Sequence, residues 1–293
     1  MAKILIAGCG YVGRELARLL LLQGHDVCGL RRHVPASDAL PIRWIAGDLS
    51  TPEGLDALSE SFDQVFYMVS ADGHSPEAYR RAYVAGLRNL IARLAALGAA
   101  PARCFFVSST GVYGQNNGEW LDESSPAEPR GFSGPILLEG EALLAASPFP
   151  HTAVRFSGIY GPGRERMIDS VRQGTAVIHE NDQSVLNHIH RDDCAGFLAH
   201  LSGMAAPADL YLGTDSEPVL KADMLQWLAA KLGRPALPVA PAPPQDAVER
   251  SPRGGHRYYS NARMRSTGYE LIYPGYREGY GALIDAHERT RQL

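Results

Sequence analysis

Short apolar runs alternate with amphipathic stretches through the first half of the chain. KILIAG (3–8), DVCGL (26–30), RWIAG (43–47), QVFYMV (64–69), RCFFVSS (103–109) and TAVRFS (152–157) are strand-length and rich in β-branched and aromatic residues. Between them, RELARLLLLQG (14–24) and YVAGLRNLIARLAALG (83–98) repeat apolar residues at helical spacing and finish on Gly24 and Gly98, where helix C-terminal caps belong. Strand-length runs separated by crossover helices predict βαβ units feeding one parallel sheet, an α/β fold. After residue 160 the rhythm breaks at YGPGRER and the elements become shorter and mixed, so a smaller α/β domain is expected to follow. The expected division is 1–164 and 165–293, with part of 185–205 returning to the first domain. The proline-rich ALPVAPAPPQ (236–245) reads as a stiff loop between a helix and the last elements.

The first strand runs into GCGYVG, Gly8 to Gly13, and the turn opens directly into a helix. That context suits a dinucleotide. Gly8 permits a tight turn, Gly10 lets backbone approach a pyrophosphate, and Gly13 allows close helix–strand packing, while the helix N-terminus supplies oriented N–H donors. At the end of the second strand, where an acidic residue would accept a ribose 2′-hydroxyl, the chain reads GLRR. Arg31 and Arg32 reverse the sign, and an arginine fork suits a 2′-phosphate, so NADP(H) is expected over NAD(H). A solvated basic pair is the alternative. GDL (47–49) ends the next strand, where Asp48 is placed either to bond an adenine amine or to cap the following helix.

Composition narrows the partners. With 45% hydrophobic residues, 20% charged residues and a net charge of -4, the chain offers no counter-charge for a phosphate backbone, which argues against nucleic acid. The opening MAKILIAGCG has a strand pattern with no basic leader, and no apolar run approaches about 18 residues, so a cytoplasmic protein away from the membrane is expected. Cys9, Cys28, Cys104 and Cys194 are far apart and suggest buried free thiols rather than a disulfide framework or a metal site. Only Lys3, Lys221 and Lys231 are lysines.

With VSSTGVYG (107–114), RFSGIYGPGR (155–164), NHIHRDDCA (187–195) and YLGTDSEPV (211–219) added to the glycine turn and GDL, the chain resembles the extended short-chain dehydrogenase/reductases, the NAD-dependent epimerase/dehydratase family. The resemblance spans nearly the whole chain. It implies a doubly wound, Rossmann-type parallel sheet with a second, smaller domain, a small-molecule substrate of sugar-nucleotide-like type, and a homodimer. It also implies Ser109 as the residue that hydrogen-bonds a reacting hydroxyl or carbonyl, and Phe156 and Ser157 beside the nicotinamide. The expected cofactor-binding set is Gly8, Cys9, Gly10, Tyr11, Val12, Gly13, Arg31, Arg32, Asp48, Leu49, Val69, Ser70, Ser108, Phe156 and Ser157. Read physically, VSSTGVYG is a strand ending in hydroxyls at the C-terminal edge of a parallel sheet, expected at the point where strand order reverses. Simple caps or turn formers are the alternative role for Ser108, Ser109 and Thr110, with the site reading preferred. His188, His190 and Asp192 alternate at a spacing that could serve a metal, but no third conventional partner is indicated, and a domain-bridging hydrogen-bond cluster is the expected role.

The family carries Tyr-x-x-x-Lys at the start of a helix, with an acidic residue four positions later. In GFSGPILLEGE (131–141), counting back from Glu141 places Leu137 at the lysine position and Ser133 at the tyrosine position. The lysine charge lowers the tyrosine pKa and the phenol moves the substrate proton; serine and leucine do neither. No lysine here lies four residues after a tyrosine, and the nearest imitation, Tyr160 with Arg164, uses a side chain that stays protonated. This pattern, with the closing SNARMRSTGYELIYPGYREGY (260–280), resembles an atypical YeeZ-like group within the family. Two readings follow: an oxidoreductase in which Tyr113, His190 or solvent handles the proton, or an NADP(H)-binding sensor or scaffold.

Overall fold

The computed structural model describes residues 1–36, 39–242 and 255–292. The chain divides into two units, one of 1–114, 126–156 and 194–211, the other of 115–125, 157–193 and 212–293.

The first unit is built on a seven-stranded sheet. Its strands are β1 (Lys3–Ala7), β2 (Asp26–Arg31), β3 (Arg43–Ala46), β4 (Gln64–Tyr67), β5 (Arg103–Ser109), β6 (His151–Phe156) and β7 (Leu210–Gly213), in the order β7-β6-β5-β4-β1-β2-β3. All pairings from β3 to β6 are parallel. β7 runs the same way, because Ala153 N–H donates to Asp209 O and Ser157 N–H to Gly213 O, an offset that only parallel strands keep constant. The chain therefore starts at the sheet centre, builds outward to β3, and returns to build the other side. The six strands read from the pattern are all present; the seventh, LYLG, is not among them.

Two crossover helices follow from their apolar stripes. α1 (Tyr11–Leu22) buries Gly13, Leu16, Ala17 and Leu20, and Gly24 terminates it at φ +81. α2 (Pro76–Arg80) is a single turn whose N-terminus is capped by the Ser75 hydroxyl, which accepts from Ala78 N–H. α3 (Gly86–Ala96) buries Leu87, Leu90 and Leu94 against Leu5, Val65, Cys104 and Phe106 of the sheet. The two helices are joined by one π-helical turn, Arg81–Ala85. The turn meets a group from another element: the Tyr67 hydroxyl, at the end of β4, donates to the Ala82 carbonyl, and a Cβ on Gly86 would lie 2.5 Å from that hydroxyl. α4 (Ser133–Ala145) packs close as well, since a Cβ on Gly140 would lie 2.7 Å from Tyr83 O. Phe66 and Phe105 stack at 4.4 Å across β4 and β5. Cys9, Cys28, Cys104 and Cys194 are buried free thiols, as expected.

The second unit has short two-stranded ladders around its own apolar cluster. Gly158–Tyr160 pairs with His188–His190, and Glu119–Leu121 with Arg257–Tyr259, both parallel. Tyr160, Ile168, Met224, Leu225, Leu228, Tyr280 and Ile284 form its core. Within the proline-rich stretch, Val239–Ala240 pairs with Ile178–His179, and residues 243–245 lie outside the described residues. Among the described residues no helix is long and apolar enough to cross a membrane.

Candidate functional site

The sequence-predicted residues of the first unit gather at one edge of the sheet. Gly8 follows β1, Arg31 ends β2 and Arg32 follows it, Asp48 and Leu49 lie just past β3, and Val69 and Ser70 just past β4. Ser109 ends β5 and Phe156 ends β6. In a parallel sheet these are all C-terminal strand ends, the edge where open α/β sheets bind ligands. The strand order reverses between β1 and β4. β5, carrying Ser108 and Ser109, is one strand removed from that point, which corrects the expectation that it lies at the reversal itself.

The turn after β1 admits little but glycine. Gly8 sits at φ +84, and a Cβ there would lie 2.8 Å from the Met68 carbonyl carbon and from Val69 N. At Gly13 a Cβ would come within 3.1 Å of Ile6 Cγ2, so the start of α1 lies tight on β1. Gly10 is different. A Cβ on it would meet nothing nearer than Gly8 O at 3.7 Å, so internal packing does not require a glycine there. Gly8 and Cys9 N–H both donate to Leu30 O, at 2.9 and 3.4 Å, pinning the turn to β2, and Cys9 is buried. The N–H groups of Tyr11, Val12 and Gly13 form the first helical turn, where intrahelical acceptors are lacking.

A basic rim lies beside the turn. Arg31 is half-buried, its guanidinium 5.9 Å from the Trp44 ring centroid, and it makes no side-chain hydrogen bond or ion pair among the described residues. Arg32 donates in a fork to Asp72, both bonds 2.6 Å. An open cavity of about 560 Å³ is lined by Arg32, His33, Ala46, Gly47, Asp48, Glu53, Gly54 and Ala57. Asp48 accepts from Ser50 N–H at 2.9 Å, and that bond, aided by Arg32, holds its carboxyl below the ordinary range. The turn it closes is its own Asx turn; the following short helix, Glu53–Leu55, is preceded by Pro52. Leu49 and Val69 pack against the core, the Leu49 carbonyl accepts from Asn89 at 2.9 Å, and Ser70 is exposed.

The end of β5 supports a different arrangement. Ser109 Oγ accepts from Gly111 N–H at 3.1 Å and caps the turn Thr110–Val112. Ser108 faces inward and donates to Glu141 at 2.6 Å. Glu141, on α4, is paired with Arg155 of β6 through Nε at 3.0 Å and Nη2 at 2.6 Å, and Arg155 Nη1 donates to the Tyr113 hydroxyl at 2.7 Å. Arg155 is 6% exposed and Tyr113 1%, so the network is interior. Ser133 opens α4, and Leu137, one turn on, is buried. The network is absent from the sequence expectations. A visible signal was Arg155 itself, a charge inside a strand that is otherwise apolar.

In the second unit, Ser157 donates to Thr214 at 3.1 Å. Asp193 accepts from Tyr269 OH, Ile272 N–H and Tyr273 N–H at 3.1, 2.7 and 3.0 Å, while burial pushes its carboxyl up to about 6. These bonds run within one unit, tying Asp193 to the 269–273 stretch. His190 is buried, its Nδ1 accepting Asp192 N–H at 3.1 Å. Tyr160 stacks on Tyr280 at 4.2 Å, with His188 edge-on at 5.6 Å.

An open parallel sheet wound outward from β1, with a glycine turn opening α1 and its candidate residues on the C-terminal edge, defines a Rossmann-type α/β protein. Residues 4–188 match the NAD dependent epimerase/dehydratase family, and the chain belongs to that family. Among solved structures, a Methylobacillus flagellatus protein described provisionally as an NAD-dependent epimerase/dehydratase shares 42% identity over 98% of this chain and 99% of its own, with TM-score 0.80. A Streptomyces 3-diazoavenalumate denitrifying reductase is 27% identical over 95% of this chain and 99% of its own. Protein YeeZ of Escherichia coli K12 is 26% identical over 71% of this chain and 79% of its own, which bears out the YeeZ-like resemblance.

Proposed function

We propose that the chain is an NADP(H)-binding oxidoreductase of epimerase/dehydratase type acting on a small carbonyl or hydroxyl compound of sugar-nucleotide-like class. The observation that carries the cofactor reading is Arg31, a cation at the end of β2 with no ion-pair partner among the described residues. The residues present fit a dinucleotide: Gly8 lets the turn pack tight on the Met68–Val69 backbone, Gly10 leaves the turn open on its outer side, and the cavity beyond β3 carries Arg32, His33 and Asp48. In this reading the first-turn N–H groups of α1 hold the pyrophosphate and Arg31 takes the 2′-phosphate. In the same reading Asp48, on the cavity lining, accepts from the adenine amine. A bound nicotinamide supplies or accepts hydride.

Ser109 orients the reacting oxygen through its hydroxyl. The proton is the harder matter, because neither Ser133 nor Leu137 carries one usefully, and a buried Leu137 leaves no ammonium in that turn of α4. Tyr113 is buried and held by Arg155, and His190 is buried with Nδ1 engaged. Water is then the proton source, and turnover is expected to be slow, since a missing positioned acid costs about 100 to 10,000-fold.

Arg31→Glu is expected to weaken NADPH about 10 to 100-fold while changing NADH little, read by calorimetric titration. Equal wild-type affinity for the two cofactors would sink the 2′-phosphate assignment. Catalysis is tested by incubating the protein with cell-extract metabolites and NADPH dideuterated at C4. Label is expected in one metabolite, and lost with Ser109→Ala at unchanged NADPH affinity. NADPH binding without transfer to any metabolite would favour the second reading, a cofactor sensor, which the buried Leu137 supports.

A further inference from the structure

The loop after β4 carries Asp72 across to the basic end of β2. Its carboxylate takes two Arg32 N–H groups in parallel, Nη1 to Oδ2 and Nη2 to Oδ1, each at 2.6 Å. The Arg32 bonds, followed by the charges of Arg81 and His33, hold the Asp72 carboxyl below its usual range. Asp72 is thus a planar anion held on Arg32, with the positive charge of Arg81 and His33 also acting on it, beside the cavity that Arg32 and His33 line. A phosphate uses the same two-pronged arginine geometry. The Arg32 and Asp72 side chains are 48% and 53% exposed, a setting in which an ion pair is weak and easily exchanged.

We propose that Asp72 is an internal stand-in for the cofactor's 2′-phosphate and sets how strongly the chain separates NADP(H) from NAD(H). The inference rests on the cofactor reading above. Without ligand, Asp72 neutralises Arg32 and leaves Arg31 as the cation that meets the incoming group. A 2′-phosphate, carrying nearly two negative charges, must displace the carboxylate from Arg32 and then bear its repulsion. A ribose 2′-hydroxyl meets neither obstacle. Asp72 therefore restrains a preference that the arginine pair would otherwise make larger, and removing its charge should release it.

The test is calorimetric titration of wild type, Asp72→Asn and Asp72→Glu with NADPH, NADH, adenosine 2′,5′-bisphosphate and adenosine 5′-phosphate at low salt. Asp72→Asn is expected to tighten NADPH and the bisphosphate about tenfold, as one charge acting on two across roughly 6 Å of water would do. NADH and adenosine 5′-phosphate should stay within about twofold, and Asp72→Glu, which keeps the charge, should resemble wild type. Unchanged or weaker bisphosphate binding by Asp72→Asn overturns the proposal. The parent reading is judged separately, by whether wild type prefers the bisphosphate and loses that preference with Arg31→Glu.

Discussion

Arg155→Ala is expected to lower the thermal midpoint by about 10 °C. Removing one partner of a buried, hydrogen-bonded ion pair typically costs about 3–5 kcal/mol, because the other charge stays buried alone. Each kcal/mol shifts the midpoint of a domain of this size by about 2–4 °C. Here the stranded group is Glu141, whose carboxylate would lose both Arg155 bonds and keep only the Ser108 hydroxyl at 2.6 Å. Burial works against the Arg155 charge, yet the bonds to Glu141 and Tyr113 outweigh it and raise the guanidinium pKa further. The pair itself need not be stabilising against an apolar replacement. Arg155→Met combined with Glu141→Leu should therefore recover most of the loss, and thermal scans of single and double variants measure the difference. A single variant that melts within a degree or two of wild type would contradict a buried network.

Acid should weaken the second unit through His188. Among the described residues its buried Nδ1 has no hydrogen-bond partner, and burial lowers the ring to about 4 from an ordinary value near 6.5. The folded pKa is depressed, so the unfolded chain takes the proton first as pH falls. The stability tied to the neutral ring is complete above about pH 6.5 and lost progressively towards pH 4, about 3 kcal/mol over the window. Asp193 acts oppositely: with its carboxyl raised to about 6, it favours folding below its unfolded pKa and loses that contribution as pH rises through 6. The wild-type profile sums the two, so the informative quantity is the gap between wild type and His188→Gln. That gap in chemical-denaturation stability should shrink by about 3 kcal/mol between pH 7 and pH 4. A gap independent of pH would mean that the ring titrates normally and is not buried.

The ends of β1 to β6 were legible in the sequence because strands covered on both faces are written as short apolar runs, whatever they later pair with. The glycine turn was legible for a stricter reason: positive φ at Gly8 and the backbone 2.8 Å from its missing Cβ exclude other residues. Arg31 and Arg32 could be placed by counting from those landmarks. β7 could not, since LYLG is four residues of ordinary composition and becomes a strand by lying along β6. Nor could the π turn at Arg81–Ala85, which depends on a hydroxyl arriving from Tyr67 on another element.

What the amino-acid order determined alone was local: which stretches are apolar enough to be strands, where only glycine fits, and which charges stand next to which landmarks. The tertiary structure decided how those charges are spent. Arg155 and Arg32 are both arginines near strand ends, yet one is interior, locked to Glu141 and Tyr113, and the other is exposed and holds Asp72, 40 positions away in sequence. Coulomb and hydrogen-bond energies fall off over a few ångströms and burial multiplies them, so their size follows from distance in space, which a linear pattern does not contain.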